Sequence, residues 1–211
     1  WKENRGTKNY FNNFAKQIIS ISKVLEGKTL VLINNKERVR KTYERVKVLE
    51  KEGIKVHCHG PQGGGISKFV NRFRNDLHSV LIGSQGFYEG VDVPGESLRC
   101  VIIEKIPFNY QKGAIHEKRK KNLNLNEYEY FLLYNFSKAM IDVRQMMGRL
   151  IRTKEDYGYI FINNIDSAKK YYDDFKNNLL VGEKSIVESF SDNSFEQVLK
   201  EMKSDFKNWS T

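Results

Sequence analysis

The chain has 211 residues, of which 39% are hydrophobic and 29% are charged. This composition excludes a disordered tail, and no apolar run approaches the roughly 18 residues that a membrane-spanning helix needs. The 36 Lys and Arg residues outnumber the 26 Asp and Glu residues, and the resulting net charge of +10 favours a phosphate-bearing partner.

Apolar periodicity predicts helices and strands that alternate along the chain. Apolar residues between 11 and 25 repeat at helical spacing and stop before Gly27, which is typical of a lead-in helix with a glycine cap. Short, continuous apolar runs predict buried strands. The predicted strands cover residues 29–33, 54–59, 79–83, 98–103 and 158–162. The predicted helices cover residues 36–52, 66–73, 127–151 and much of 167–209.

This alternation predicts an α/β fold, because strands separated by helices are joined by crossovers into an open, mostly parallel sheet with helices on both faces. The predicted parts are a lead-in helix at 1–27, an α/β domain at 28–166 with a polar, weakly structured insertion at about 109–126, and a helical extension at 167–211 packed on the same domain. Ligands of such sheets bind outside the carboxyl ends of the strands.

The two cysteines, Cys58 and Cys100, are too few for a disulfide framework and lie in apolar, strand-like segments. They predict a reducing, cytoplasmic setting. The triplet His57-Cys58-His59 favours structural placement over a metal site, because a strand sends alternate side chains to opposite faces. Since the chain begins with Trp1 and shows no secretory segment, we expect it to be part of a longer polypeptide without a membrane partner.

The segment QMMGRLIR at 145–152 separates its polar and apolar residues when drawn as a helix. At about 100° per residue, Gln145, Arg149 and Arg152 fall within an arc of roughly 60°, and the apolar residues lie on the other side. Gly148 lies beside this polar stripe, which suits close approach of a ligand. Two arginines one turn apart form a fixed-charge clamp for phosphate oxygens; a solvated face with surface ion pairs explains the same spacing.

A glycine-rich loop after the third strand carries two acids three residues apart, Glu89 and Asp92. With its flanks it reads GSQGFYEGVDVPGESLRCVIIEKIPF, from Gly83 to Phe108, and a later segment reads QMMGRLIRTKEDYG. These two segments resemble motifs V and VI of the DinG/XPD branch of superfamily 2 helicases. The resemblance extends from about Gly27 to Asp166 and implies the second of two RecA-like motor domains.

The resemblance also implies roles for individual residues. Arg149 and Arg152 would reach across an interdomain cleft to ATP, and Gln145 would orient the nucleotide or its attacking water. The implied nucleotide-side residues are Glu89, Gly90, Asp92 and Gly148. Helix capping or pairing with a nearby arginine is the structural alternative for the two acids. The implied contacts to single-stranded DNA are Asn34, Asn35, Gln62, Gly63, Ser84, Gln85, Lys105 and Phe108.

Three positions depart from the family pattern. Asn34-Asn35 stand where relatives usually have Thr-Ser, Tyr88 replaces a common Trp, and Met146 replaces a common Gly.

The chain has no Walker A sequence, no DEAH-like box and no four-cysteine set for an iron-sulfur cluster. The resemblance therefore implies that ATP and Mg²⁺ are bound mainly by an N-terminal motor domain of the same polypeptide, and that the isolated chain does not hydrolyse ATP. We expect the C-terminal motor domain of an ATP-dependent DNA helicase, of a family with members in DNA repair. The alternative is a non-catalytic nucleic-acid-binding scaffold with a motor fold.

Two further segments are rich in charged residues; the function of the first is left open, and the second has a structural interpretation. The run 118–121 either contacts the DNA backbone or is simply solvated. The helix predicted at 36–51 interleaves Glu37, Glu44 and Glu50 with its basic residues, which predicts pairing within the helix.

Overall fold

The computed structural model describes residues 8–60, 62–84, 86–87, 95–108, 113–151, 156–163, 165, 168–179 and 192–209. The strands are β1 (Thr29–Leu32), β2 (Lys55–Cys58), β3 (Ser79–Gly83), β4 (Cys100–Ile103) and β5 (Tyr159–Ile162). The α-helices are α1 (Lys8–Val24), α2 (Lys36–Val46), α3 (Ile66–Arg74), α4 (Ala114–Asn122), α5 (Glu127–Tyr130), α6 (Ser137–Met147), α7 (Tyr172–Asn177) and α8 (Asp192–Trp209). A 3₁₀-helix at Lys47–Glu52 follows α2, and a π-helix at Phe131–Phe136 joins α5 to α6.

The strands of the described residues form one parallel sheet in the order β2-β3-β1-β4-β5. This confirms the predicted α/β class and matches a RecA-like fold. The connection after β1 crosses one face of the sheet, whereas the connection after β4 crosses the opposite face. The loops after β1 and β4 therefore diverge, which leaves a crevice at the carboxyl ends of these two strands.

Both faces of the sheet are buried, because successive strand residues point in opposite directions. Leu30, Leu81 and Val101 lie in the apolar cluster that contains α3, α6 and α7. Val31 and Ile102 lie in the other cluster, which contains α1, α2 and α8. The sheet is therefore a layer between two sets of helices, and its strand ends are where we look for ligand-binding residues.

Gly27 closes α1 and brings the chain against the start of β3. Its φ angle is +99°, and its N–H donates to the carbonyl oxygen of Ser22 at 2.7 Å. A Cβ at this position would lie 2.5 Å from the backbone nitrogen of Ser79. Glycine is thus required by the left-handed backbone and also by the close approach.

The structure differs from the prediction at residues 36–52 and in the insertion. The predicted helix at 36–52 changes to a 3₁₀-helix after Val46, because this geometry aligns residues three apart and so buries Val46 and Leu49 together. The insertion expected to be weakly structured contains α4, so that expectation was wrong for residues 114–122. Among the described helices, none combines the length and apolar character that membrane crossing requires.

We expect Gly27→Ala to lower the free energy of unfolding by about 3 kcal/mol, because the new methyl group meets backbone atoms while the residue keeps a positive φ. Gly53 is the matched control, since its φ is +82° but no atom lies within 4 Å of a Cβ there. Gly53→Ala should cost only about 1 kcal/mol, the backbone strain alone. Urea unfolding of both variants checks this, and equal losses would contradict the role of the Ser79 contact.

Candidate functional site

The carboxyl edge of the sheet carries the residues expected to contact nucleic acid. Asn34 and Asn35 follow β1, and Gln62 and Gly63 lie in the loop after β2. The further residues at this edge are Ser84, Lys105 and Phe108. Because the strands are parallel, all of these positions lie on one side of the molecule. Gln85 lies outside the described residues.

Asn34 and Asn35 are both exposed, but Asn35 also has a structural role. Its side-chain oxygen accepts a hydrogen bond from the backbone N–H of Arg38 at 3.0 Å and so caps α2. Only the NH₂ group of Asn35 is then suited to donate to a phosphate oxygen.

The side chain of Gln62 is bonded to its own domain. Its Oε1 accepts from the backbone N–H of Cys58 at 3.0 Å, and its Nε2 donates to the hydroxyl of Tyr43 at 3.1 Å and to the carbonyl oxygen of Val56 at 3.2 Å. These bonds hold the loop against the end of β2. The neighbouring Gly63 is exposed, with φ +64° and no atom within 4 Å of a Cβ position, so its backbone is the more open group for a ligand.

Phe108 is half-buried in an aromatic cluster. Its ring centroid lies 5.4 Å from that of Phe131 and 5.0 Å from that of Tyr171. Part of the ring is therefore used for packing, and stacking on a base would involve its remaining surface. Ser84 and Lys105, at the ends of the neighbouring strands, are also half-buried.

A buried ion pair lies in the crevice between β1 and β4, and the sequence analysis missed it. Glu104, which is 1% exposed, pairs with the guanidinium group of Arg38 and accepts a hydrogen bond from the hydroxyl of Tyr10 at 2.9 Å. These contacts connect α1, α2 and the end of β4. The sequence does contain a signal for this pair. The acid Glu104 stands between an apolar strand and Ile106, where an unpaired charge is unfavourable, so a basic partner is expected.

The described residues of the segment at 145–152 lie at the opposite edge of the sheet. The chain leaves β4 at the carboxyl edge and returns through α6 to the amino end of β5. Leu150, just after α6, lies against Gly158, since a Cβ on that glycine would be 3.0 Å from the Cδ1 atom of Leu150. The same position would be 2.4 Å from the carbonyl oxygen of Arg99, which precedes β4. Gln145, Gly148 and Arg149 are therefore separated from the carboxyl-edge residues by the length of the strands.

Helix α6 ends at Met147, whereas the prediction extended it to Ile151. The N–H of Arg149 donates to the carbonyl oxygen of Met146 at 3.2 Å, and that of Leu150 donates to Met147 at 3.0 Å. These bonds to the residue three positions earlier tighten the turn, so the angles of a regular α-helix do not continue to Arg149. The core-facing side is nevertheless as predicted, with Met146 and Leu150 buried.

Residues 145–152 form the arginine segment. Its described part has one exposed and one half-buried polar residue. Gln145 is exposed near the end of α6, and Arg149 is half-buried in the following turn. Gly148 is exposed, and a Cβ there would lie 3.3 Å from the carbonyl oxygen of Arg144, so a side chain at this position would be tight against its own helix. The further predicted residues Glu89, Gly90, Asp92 and Arg152 lie outside the described residues.

Arg144 connects the arginine segment to α7. Its Nε and Nη2 atoms donate to the carbonyl oxygen of Asn178 at 3.0 and 2.8 Å. The last carbonyl groups of a helix have no partners within it, and an arginine is well suited to bond them. This contact fixes the end of α7 against α6, close to the arginines of the predicted phosphate clamp.

The cysteines and histidines of the sheet have structural surroundings. Burial raises the pKa of the Cys58 thiol to about 12 and raises that of Cys100 well above its ordinary value, so neither is a thiolate nucleophile near neutral pH. Burial also lowers the pKa of His57. In the part of the chain that the structure describes, no group of three or more His, Cys, Asp or Glu side chains could hold a metal ion.

Comparisons with known proteins agree with this geometry. A family model described as a helicase C-terminal domain matches residues 18–179. The 3'-5' exonuclease DinG of Bacillus subtilis is 27% identical over 161 residues, which are 76% of this chain and 17% of that protein. The ATP-dependent DNA helicase YoaA of Haemophilus influenzae is 29% identical over 159 residues, which are 75% of this chain and 24% of that protein. The chain thus spans a quarter or less of the length of these relatives.

Solved structures show the same fold. An XPD helicase superposes with a TM-score of 0.61 and 16% sequence identity, covering 83% of this chain and 32% of that chain. The Xpd4 protein of S. tokodaii superposes with a TM-score of 0.54 and 15% identity, covering 88% of this chain and 36% of that chain. At these identities the likeness extends to the fold.

We expect Glu104→Ala to destabilise the domain by about 3 kcal/mol, because it leaves the Arg38 guanidinium without its carboxylate in a site shielded from water. Glu44→Ala is the matched control, since Glu44 pairs with Arg40 at 2.7 Å on the surface with 46% of its side chain exposed. That loss should stay below about 0.5 kcal/mol. Denaturant unfolding measures both, and similar losses would refute a structural role for the buried pair.

Proposed function

Because the chain belongs to the helicase C-terminal domain family and resembles its DinG/XPD-like members, we propose that it is the second motor domain of an ATP-dependent DNA helicase. In this proposal it couples ATP hydrolysis by the whole polypeptide to movement along single-stranded DNA and to duplex unwinding. The observation that supports the proposal is that the described arginine-bearing residues and the polar strand-end residues lie at opposite edges of one parallel sheet.

The amino edge would complete an ATP site on an N-terminal motor domain of the same polypeptide. In phosphoryl transfer, negative charge spreads over the γ-phosphate, and an arginine supplied by a second body accelerates the reaction by about 10³ to 10⁵. Arg149 and Arg152 would supply this charge, and the exposed Gln145 would orient the nucleotide or the attacking water. Mg²⁺ would be held mainly by that N-terminal motor domain.

The carboxyl edge would hold the DNA. A translocating protein must grip phosphates without reading bases, and short polar side chains with backbone amides meet that need. Asn34, Gly63, Ser84 and Lys105 provide such groups at the ends of four neighbouring strands. The bonds within the domain made by Gln62 assign it to shaping the loop that carries Gly63.

Rigidity of the sheet would couple the two edges. The helices pack on both faces into a single body, so closure of the cleft on ATP would move the DNA-holding loops together with the arginines. By resemblance, the loop with Glu89, Gly90 and Asp92 would transmit the nucleotide state between the two edges. Opening after hydrolysis would then release the DNA for the next step.

The isolated chain should bind single-stranded DNA weakly, with an affinity that falls steeply as salt rises. The physical reason is the release of condensed counterions when lysines and arginines neutralise phosphates. Fluorescence anisotropy with a labelled oligothymidylate, repeated across a salt series, measures this dependence. Binding that does not respond to salt would contradict a phosphate-gripping surface.

In the full-length polypeptide, Arg149→Ala should reduce DNA-stimulated ATP turnover by about 10² or more and leave DNA affinity nearly unchanged, because the lost interaction belongs to the transition state. Steady-state phosphate release and DNA titration provide the two readouts. Arg40→Ala is the control, because Arg40 is exposed on the surface of α2 and pairs there with Glu44. Unchanged turnover in Arg149→Ala would favour the scaffold alternative.

A further inference from the structure

Helix α4 is a basic helix that lies on the surface and contributes nothing to the apolar core. None of its nine residues, from Ala114 to Asn122, is buried. Four basic residues and one acidic residue give it a net charge of +3, against +10 for the whole chain. A helix of this length is marginal in isolation, so contacts with the rest of the domain must hold it in place.

Polar contacts on its inner side attach α4 to the domain. The Nδ1 atom of His116 lies 2.7 Å from the hydroxyl of Tyr130. The ammonium group of Lys120 pairs with Glu117 at 3.0 Å and with Glu127 at the start of α5. These two carboxylates raise the pKa of Lys120, with Glu127 the stronger partner. The inner side is therefore electrostatically satisfied by the domain itself.

The outer side presents lysines that the domain does not neutralise. Lys118 and Lys121 are exposed and lie three positions apart, so they share one face of α4. Across the described part of the chain, neither forms an ion pair. Glu117 could reach Lys121 along the helix but bonds Lys120 instead.

Helix α2 shows how this chain balances a solvated basic helix. There Arg40 pairs with Glu44, and Lys41 pairs with Glu37, both at 2.7 Å and one turn apart. On α4, the residues one turn from Lys118 are Ala114, Ile115, Lys121 and Asn122. Like charges at this spacing destabilise a helix in water, so the outer face of α4 lacks the pairing that suits a merely solvated surface.

The position of α4 relates it to the carboxyl edge of the sheet. It follows Phe108, which lies five residues beyond β4, and the ring of Phe108 packs on Phe131. Tyr130, the last residue of α5, directly precedes Phe131 and contacts His116 of α4. The helix therefore lies beside the edge that carries Lys105 and the other polar residues of the strand ends.

We propose that the outer face of α4 is a second phosphate-contacting surface, which holds the backbone of the nucleic acid that crosses the carboxyl edge. This inference rests on the proposed function, which places DNA at that edge. Lys118 and Lys121 are separated by a rise of about 4.5 Å along the helix, and their flexible stems let both ammonium groups meet neighbouring phosphates. Contacts of this kind strengthen binding without selecting a sequence.

An acidic or apolar protein surface fits α4 less well. Protein interfaces have a desolvated core rich in aromatic residues and poor in lysine. The outer face of α4 instead has two lysines, and Ile115, with 73% of its surface exposed, is the large apolar residue on it. A lone apolar residue is ordinary for a protein surface and does not form a docking patch.

The test is the double substitution Lys118→Gln with Lys121→Gln in the isolated chain. Binding of a labelled oligothymidylate is measured across a salt series, as for the unaltered chain. Each lost phosphate contact lowers the slope of log affinity against log salt by about 0.7 for a single strand, so we expect a slope about 1.4 shallower and weaker binding at low salt. Glutamine preserves helix propensity, and circular dichroism of the variant checks that the fold is retained.

The matched control is Lys47→Gln with Lys51→Gln, which removes the same charge from exposed residues of the 3₁₀-helix that leads into the amino end of β2. This control should keep the slope of the unaltered chain. An equal effect of the two double variants, or no effect of the α4 variant while the unaltered chain still binds, would overturn the role of α4 and leave the proposed function standing. Failure of the unaltered chain to bind any oligothymidylate would overturn both.

Discussion

The parallel sheet must be covered on both faces, and this requirement shapes the rest of the molecule. Its strands are short apolar runs with side chains on either side, so each crossover has to bring a helix onto one face or the other. Leu30 and Val31, adjacent in β1, already belong to different clusters. With both faces occupied by helices, the edges at the strand ends are the places where polar side chains can meet a ligand.

This constraint also explains how one domain would serve the two ligands of the proposed function. Helix α6 uses its apolar side, including Val143 and Met146, to cover the sheet, and it carries the chain from the carboxyl edge to the amino edge. The arginine segment consequently emerges far from the residues at the strand ends. Because the layers between the two edges are close-packed, the proposed movement of one edge would carry the other with little internal deformation.

Identical residue types have different roles in this chain according to their surroundings. The half-buried Arg38 pairs with the buried Glu104 and so joins separate elements, whereas Arg40, two residues later, makes an exposed pair that adds little stability. Lys120 is neutralised by two carboxylates, while Lys118 on the same helix faces solvent. Burial and the distance to acids, more than the number of charges, separate the structural positions from those proposed to bind a ligand.

The sequence by itself determined the strands to within about two residues, the buried side of α6, the glycine that ends α1 and the helicase family, because these depend on local periodicity and on contiguous motifs. The pairing within α2 was also predictable, since its partners lie one turn apart. Only the tertiary structure decided the order of the strands, the tightening of the chain after Met147, the inward bonds of Gln62 and the partnership of Arg38 with Glu104. The strand order and the Arg38–Glu104 pair depend on atoms far apart in the chain. The bonds after Met147 and most bonds of Gln62 are local, but no pattern in the neighbouring residues predicts them.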